Sequence, residues 1–231
     1  MRRQHLVGLA VLLLIFVHTT AAVGQSPVNF EFGIRTGVPL MKTLRPSAYG
    51  FGNFISTSTS EKPLYTVGPT FGAILYDRFS VQFDALYKPV VYRVSSTAPM
   101  LTLSSTNRGS SWEFPVLLNY RFLRGPTRPY AGVGIVIGEF VSLVNENRTT
   151  NLINGTETHA EGAFTGFYGQ VPAYIVDAGL EWPISRLVLR PEVRFSRWSH
   201  NQPQVAFRSP KQFELLIGLS FRGFRSTGDT K

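Results

Sequence analysis

The chain has 231 residues, 43% hydrophobic, 13% aromatic and 16% charged, with 23 Lys or Arg against 14 Asp or Glu and a formal charge of +9. That composition excludes a disordered or nucleic-acid-binding tail, and the basic excess forms no Lys/Arg stripe interleaved with aromatics. There is no cysteine, which excludes a disulfide framework and a lipoprotein anchor.

The first element is a leader. Met1-Arg2-Arg3 is positive, Leu6 to Val17 is an apolar run too short to span a bilayer, and the small residues of TTAAVGQ follow. This predicts a secretory signal peptide over residues 1–24, cleaved after Gly24; cleavage after Ala22 also satisfies the small-residue rule. Losing Arg2 and Arg3 takes the formal charge from +9 to +7.

From residue 25 to 231 the period is two, with no helical stripe, and the chain reads as one domain. Strand one, Val28 to Leu40, sets Phe30, Phe32, Ile34, Val38 and Leu40 against Glu31, Gly33, Arg35 and Gly37. Strand two, Leu64 to Tyr76, opposes Tyr65, Val67, Phe71, Ala73 and Leu75 to Thr66, Gly68, Thr70 and Gly72. Strand three, Phe79 to about Val91, opposes Phe79, Val81, Phe83, Ala85 and Tyr87 to Ser80, Gln82, Asp84 and Lys88. Strand four, Trp112 to Phe122, carries Trp112, Phe114, Val116, Leu118, Tyr120 and Phe122 against Glu113, Asn119 and Arg121.

Strand five, Tyr130 to about Val141, alternates Ala131, Val133, Ile135 and Ile137 with Gly132, Gly134 and Gly138. Strand six, Tyr168 to Trp182, turns Tyr174, Val176, Ala178, Leu180 and Trp182 away from Asp177, Gly179 and Glu181. Strand seven, Arg186 to Trp198, places Arg190, Glu192 and Arg194 at every second position. Strand eight, Gln212 to Arg222, opposes Phe213, Leu215, Ile217, Leu219 and Phe221 to Gln212, Glu214, Gly218, Ser220 and Arg222.

Long polar loops follow strands one, three, five and seven, and tight turns follow two, four and six. An even strand count with long loops on one side and short turns on the other is the layout of an outer-membrane barrel. The expected fold is therefore an all-β, eight-stranded antiparallel up-and-down transmembrane barrel with four surface loops and both termini in the periplasm.

Two architectures compete, and they differ in which side is dry. A soluble ligand-binding barrel would point its apolar faces inward; a membrane barrel points them at lipid. The polar faces are rich in glycine, which suits a narrow lumen. Their charges are mixed in sign: Glu31, Arg35, Asp84, Lys88, Glu113, Arg121, Asp177, Glu181, Arg190, Glu192, Arg194, Glu214 and Arg222. Aromatics gather at strand ends as two girdles: Tyr65, Trp112, Tyr168 and Phe213 near one rim, Phe79, Phe122, Tyr130, Trp182 and Phe221 near the other. Both features favour the membrane barrel. Pro69, Pro115, Pro172 and Pro191 fall inside strands, where each removes a ladder hydrogen bond.

The segments YTVGPTF (65–71), VQFDALYK (81–88), SWEFPVLLNYRF (111–122), RPYAGVG (128–134) and FELLIGLSF (213–221) resemble the PorT-like outer-membrane β-barrel proteins of Gram-negative bacteria. These are small barrels similar in build to the OmpA transmembrane domain. The resemblance implies an integral outer-membrane scaffold delivered by the barrel assembly machinery, with strand eight as its signal. The usual terminal aromatic is displaced here by a short polar tail after Phe224.

An eight-stranded barrel is just wide enough for side chains to fill it, so the charges are expected to pack as ion pairs. Catalysis is not expected. His159 lies in a loop, and Ser199 and His200, being adjacent in a strand, point to opposite faces. No spacing resembles a metal site, and no cofactor is implied. The loops carry Lys42, Arg45, Lys62, Arg108, Arg148, Arg208 and Lys211 against fewer acids, so lipopolysaccharide phosphate is the expected outward contact besides lipid, and nucleic acid is not. The expected role is structural or surface recognition. A small gated pore is the alternative, and a soluble secreted ligand-binding barrel the second.

Overall fold

The computed structural model describes residues 28–75, 78–163, 171–199 and 208–223. The leader, Tyr168, His200 and Phe224 lie outside the described residues.

Twelve strands form one antiparallel sheet: β1 (Asn29–Pro39), β2 (Ser47–Phe51), β3 (Phe54–Ser60), β4 (Thr66–Leu75), β5 (Phe79–Asp84), β6 (Leu86–Ala98), β7 (Leu101–Arg121), β8 (Arg128–Asn151), β9 (Glu157–Ala163), β10 (Val171–Ile184), β11 (Leu187–Trp198) and β12 (Lys211–Arg222). Eight staves close it into a barrel. Each pairs with the next in sequence, β5 and β6 serving together as one stave, and β1 closes the circle by pairing with both β4 and β12. The bounds expected for strands one, seven and eight hold to within a few residues at each end, as do the start of strand two and the end of strand six; Tyr76 and Tyr168, their other expected ends, lie outside the described residues.

The third stave is broken at Ala85 for a reason visible in its neighbours. The register β4 keeps with β5 and β6 sets Pro69 beside Ala85, whose N–H donates to the Pro69 carbonyl at 3.0 Å. Pro69 has no N–H to return. On the other flank Pro115 of β7 stands near the same break, again without a donor. Pro191 acts likewise: the β10–β11 ladder runs from Gly179↔Glu192 to Trp182↔Leu189 and skips the pairs between.

Sequence reasoning left residues 41–63, 92–111 and 142–167 as surface loops. Most of the described part is strand instead. β6, β7 and β8 run on well past the barrel, β2 and β3 form a hairpin on the β6 edge, and β9 pairs with the end of β8. A register shift between Arg108 and Ser110 marks where β7 and β8 leave the barrel wall. One face of these stretches is partly buried, but what it buries is largely Ser and Asn (Ser58, Ser60, Ser96, Ser105 and Asn107), so no hydrophobic period-two signal betrays them.

The barrel is inside out. Ile34 is 62% exposed, Ile135 55% and Ile217 53%, whereas Arg35, Asp84 and Arg194 are at most 1% exposed. A soluble barrel buries the first kind and wets the second. An uninterrupted apolar belt around a charged interior is the construction of an outer-membrane barrel, with short turns at the periplasmic end and the long extensions outside.

Close strand approach leaves no room for a side chain at several glycines, Gly134 among them. A Cβ at Gly134 would lie 1.9 Å from the Val116 carbonyl oxygen, which is backbone and cannot swing away. Gly134→Ala is expected to cost about 3 kcal/mol, the upper end of overpacking. The check is the fraction of chain migrating as the folded, heat-modifiable form on a gel; a wild-type fraction would refute the close packing.

Candidate functional site

The chemistry of the barrel is concentrated in its lumen, because alternation turns one residue in two inward. All thirteen charged residues expected on the polar faces point there, Arg222 being partly open at the periplasmic rim. They fall into three tiers.

At the periplasmic end, Glu181 of β10 gathers bases from three staves. Arg121 Nε donates to it at 2.8 Å, Arg190 Nη2 at 2.9 Å and Arg222 Nη2 at 2.6 Å. Arg190 and Arg222 also donate to Glu31 of β1, Arg222 at 2.6 Å.

In the middle tier, Arg35 donates to Glu192 at 2.7 Å and to the Gln82 amide oxygen at 3.0 Å. Arg194 bridges Glu192 and Asp84, both at 2.8 Å. Asp84 also accepts from the Thr70 hydroxyl at 2.5 Å, and Glu192 from the Tyr130 hydroxyl at 2.8 Å. Asp177 is buried here without a hydrogen-bond partner among the described residues.

At the outer end Lys88 lies 2.5 Å from both Glu113 and Glu214. Arg208 donates to Glu113 at 2.6 Å and stacks its guanidinium 3.3 Å from the Trp198 ring centre, beside Phe140. This closes the mouth.

Two expectations need correction. Tyr130, assigned to a girdle, is 4% exposed and luminal. Its position at a strand end suggested the interface, but it shares the parity of Gly132 and Gly134 and so faces in, where its hydroxyl meets a carboxylate. Arg208, assigned to an outward-facing loop, is 1% exposed. Cation–π stacking and the Glu113 pair hold it over the lumen, and the Leu44↔Arg208 bridge ties it to the segment after β1. With Arg208 included, the seven bases Arg35, Lys88, Arg121, Arg190, Arg194, Arg208 and Arg222 face seven acids, Glu31, Asp84, Glu113, Asp177, Glu181, Glu192 and Glu214. Such a set can neutralise itself without solvent.

The girdle residues among the described residues otherwise sit outside. Tyr65 and Tyr87 have ring centres 6.3 Å apart, Tyr87 and Trp112 5.5 Å, and Phe195 and Phe213 4.7 Å, at the outer rim. Toward the periplasm Phe79 packs on Tyr120 at 5.1 Å, Tyr120 on Phe122 at 5.4 Å and Phe32 on Phe221 at 5.5 Å. Trp182 donates its indole N–H to Thr127 at 2.8 Å. Sequence reasoning missed Gln82 and Thr70 as members of the network, although both lie on polar faces read from the alternation.

The lumen leaves little room. The gap among Ser80, Asn119, Arg121, Tyr130, Glu181 and Arg190 is too small to admit a water molecule. What the arrangement does chemically is hold charges against one another across the barrel.

No family model matches the chain, and no curated protein matches it. Among solved structures, neisserial surface protein A is similar at 13% identity and a TM-score of 0.40, covering 86% of this chain and 99% of that one. The N-terminal β-barrel domain of Pseudomonas aeruginosa OprF is also 13% identical with a TM-score of 0.40, covering 86% of this chain and all of that domain. The attachment invasion locus protein Ail of Yersinia pestis, solved with a heparin analogue, is 10% identical with a TM-score of 0.40, covering 85% of this chain and 97% of that one.

Proposed function

We propose that this chain is an outer-membrane scaffold whose barrel anchors a surface-recognition sheet, with its lumen serving as packing and not as a conduit. The observation that carries this reading is the division of labour along β6, β7 and β8. Their inner halves belong to an ion-paired, filled barrel, and their outer halves rise into a sheet joined by β2, β3 and β9. A pore needs a continuous wet path, and direct ion pairs span each tier of this one.

The finer membership we propose is with the PorT-like barrels, supported by the segments quoted above. The barrel assembly machinery is the proposed biogenesis partner. The outward Lys42, Arg45, Lys62, Arg108, Arg148 and Lys211 are proposed to pair with lipopolysaccharide phosphates; Arg208 no longer belongs in that set. No enzymatic role is proposed. His159, the one histidine among the described residues, sits on β9 in solvent beside Glu157.

Two measurements test the reading. Purified protein in planar bilayers is expected to give no steady conductance. Protease added to intact cells is expected to trim the extension and leave a membrane-protected barrel. Steady ohmic channels would sink the filled-lumen reading, and an untouched chain would remove the surface sheet.

A further inference from the structure

The extension has two faces of opposite chemistry, and the pairing register sorts them. Residues directly opposite on neighbouring strands share a face. One row runs Ser47, Ser58, Val94, Ser105, Asn147 and Ala160 across β2, β3, β6, β7, β8 and β9. The row outside it runs Tyr49, Ser56, Ser96, Leu103, Thr149 and Thr158. Phe51 pairs with Phe54 beyond that, and Tyr92, Asn107 and Asn145 lie on the barrel side. No position on this face is charged.

The other face takes all the charge. Arg93 pairs with Glu61 at 2.7 Å, Arg108 with Glu146 at 3.2 Å and Arg148 with Glu157 at 3.8 Å. His159 and Glu161 share it. Along β6 the uncharged face continues the parity of Lys88 and Val90, so it is the one that follows on from the lumen.

Hydroxyls and amides on the uncharged face already work as donors and acceptors. Ser47 and Ser58 hydroxyls lie 2.6 Å apart, and Ser56 and Ser96 2.8 Å. Ser105 donates to the Asn145 amide oxygen at 3.1 Å. The Asn107 amide oxygen, on the same face and buried, has no hydrogen-bond partner among the described residues. At the β2–β3 end Tyr49 is 65% exposed and Phe51 78%.

We propose that this uncharged face binds a neutral glycan. The inference rests on the surface-recognition reading and names its ligand class. A sugar ring presents hydroxyls that both donate and accept, and a C–H face that is apolar. Ser58, Ser96 and Ser105 are buried and brace the sheet; the accessible Ser47, Ser56, Asn147, Thr149 and Thr158 match the first without the desolvation cost of a charged group, and the exposed rings of Tyr49 and Phe51 match the second. An anionic glycan would seek the bases, which stand on the opposite face and are paired there. The outermost strands β2 and β9 could instead take an extended peptide by strand addition, which would leave the face chemistry unused.

The test uses the full chain in lipid nanodiscs on an array printed with neutral hexose and N-acetylhexosamine oligomers, their sulfated and sialylated counterparts, and extended peptides. At least one neutral oligomer is expected to be retained, with no loss on raising salt. Tyr49→Ala with Phe51→Ala, and separately Asn147→Leu, should weaken retention at least tenfold. Arg93→Gln on the far face should leave it unchanged. Heat-modifiable migration confirms that each variant is folded. Retention of no neutral oligomer, retention confined to anionic glycans and abolished by salt, retention of peptides alone, or indifference to the Tyr49, Phe51 and Asn147 changes would each overturn the proposal. Conductance and protease trimming report on the parent reading separately, so either can fail without the other.

Discussion

Arg194→Met is expected to destabilise the folded barrel by about 3–5 kcal/mol, the penalty for removing one partner from a buried ion pair. Arg194 is 1% exposed and holds Glu192 and Asp84, each at 2.8 Å. Methionine fills similar volume, so the loss is electrostatic and not a cavity. Asp84 would keep Thr70, Gln82 and the more distant Arg35, at 3.4 Å. Glu192 would keep Arg35 and Tyr130. Arg35 alone then faces Glu192 and Asp84, so the buried tier keeps one carboxylate more than its remaining base can pair. The readout is the denaturant midpoint of the refolded protein in lipid vesicles. Arg108→Gln is the control, since its pair with Glu146 is in solvent and exposed pairs contribute little. A midpoint for Arg194→Met matching wild type would mean the lumen is hydrated and the network dispensable.

Alternation made the staves legible because one face of each meets lipid and the other a polar lumen, the strongest contrast a strand can carry. The same contrast placed the luminal charges, since Glu31, Arg190 and Glu214 could only be read as belonging to the polar face. It failed where neither face is apolar. β2 and β9 are exposed on both faces, and the inward residues of β3, Ser58 and Ser60, are buried but polar, so their Ser and Thr read as loop.

Tyr130 was missed because nearness to a strand end says nothing about which face a ring occupies; parity with Gly132 did. Arg208 lies outside any alternating run, and its partner Glu113 is far away in sequence. Only the closed barrel brings them together. The prolines were legible as a problem, and their effect, a stave split at Ala85, needed the register between strands.

Val116→Arg separates membrane from water as the medium around the belt. Val116 lies halfway along β7 between Tyr120 and Trp112, which belong to the two aromatic rims, and pairs with Phe83 and Ile135. All three side chains point outward, and Val116 is 41% exposed. In lipid, arginine at that depth is expected to cost about 2–4 kcal/mol. On a soluble barrel the same change at an exposed site would stay within about 0.5 kcal/mol. Thr97→Arg, on the charged face of the extension and above the bilayer, should be silent in either medium. The comparison is made on vesicle-inserted protein, by the shift in denaturant midpoint of each variant. A Val116→Arg midpoint equal to that of Thr97→Arg would place the belt in water and return the chain to the soluble class. A loss confined to Val116→Arg follows only if the belt is solvated by hydrocarbon, because nothing else in its surroundings distinguishes a cation from a methyl group so sharply.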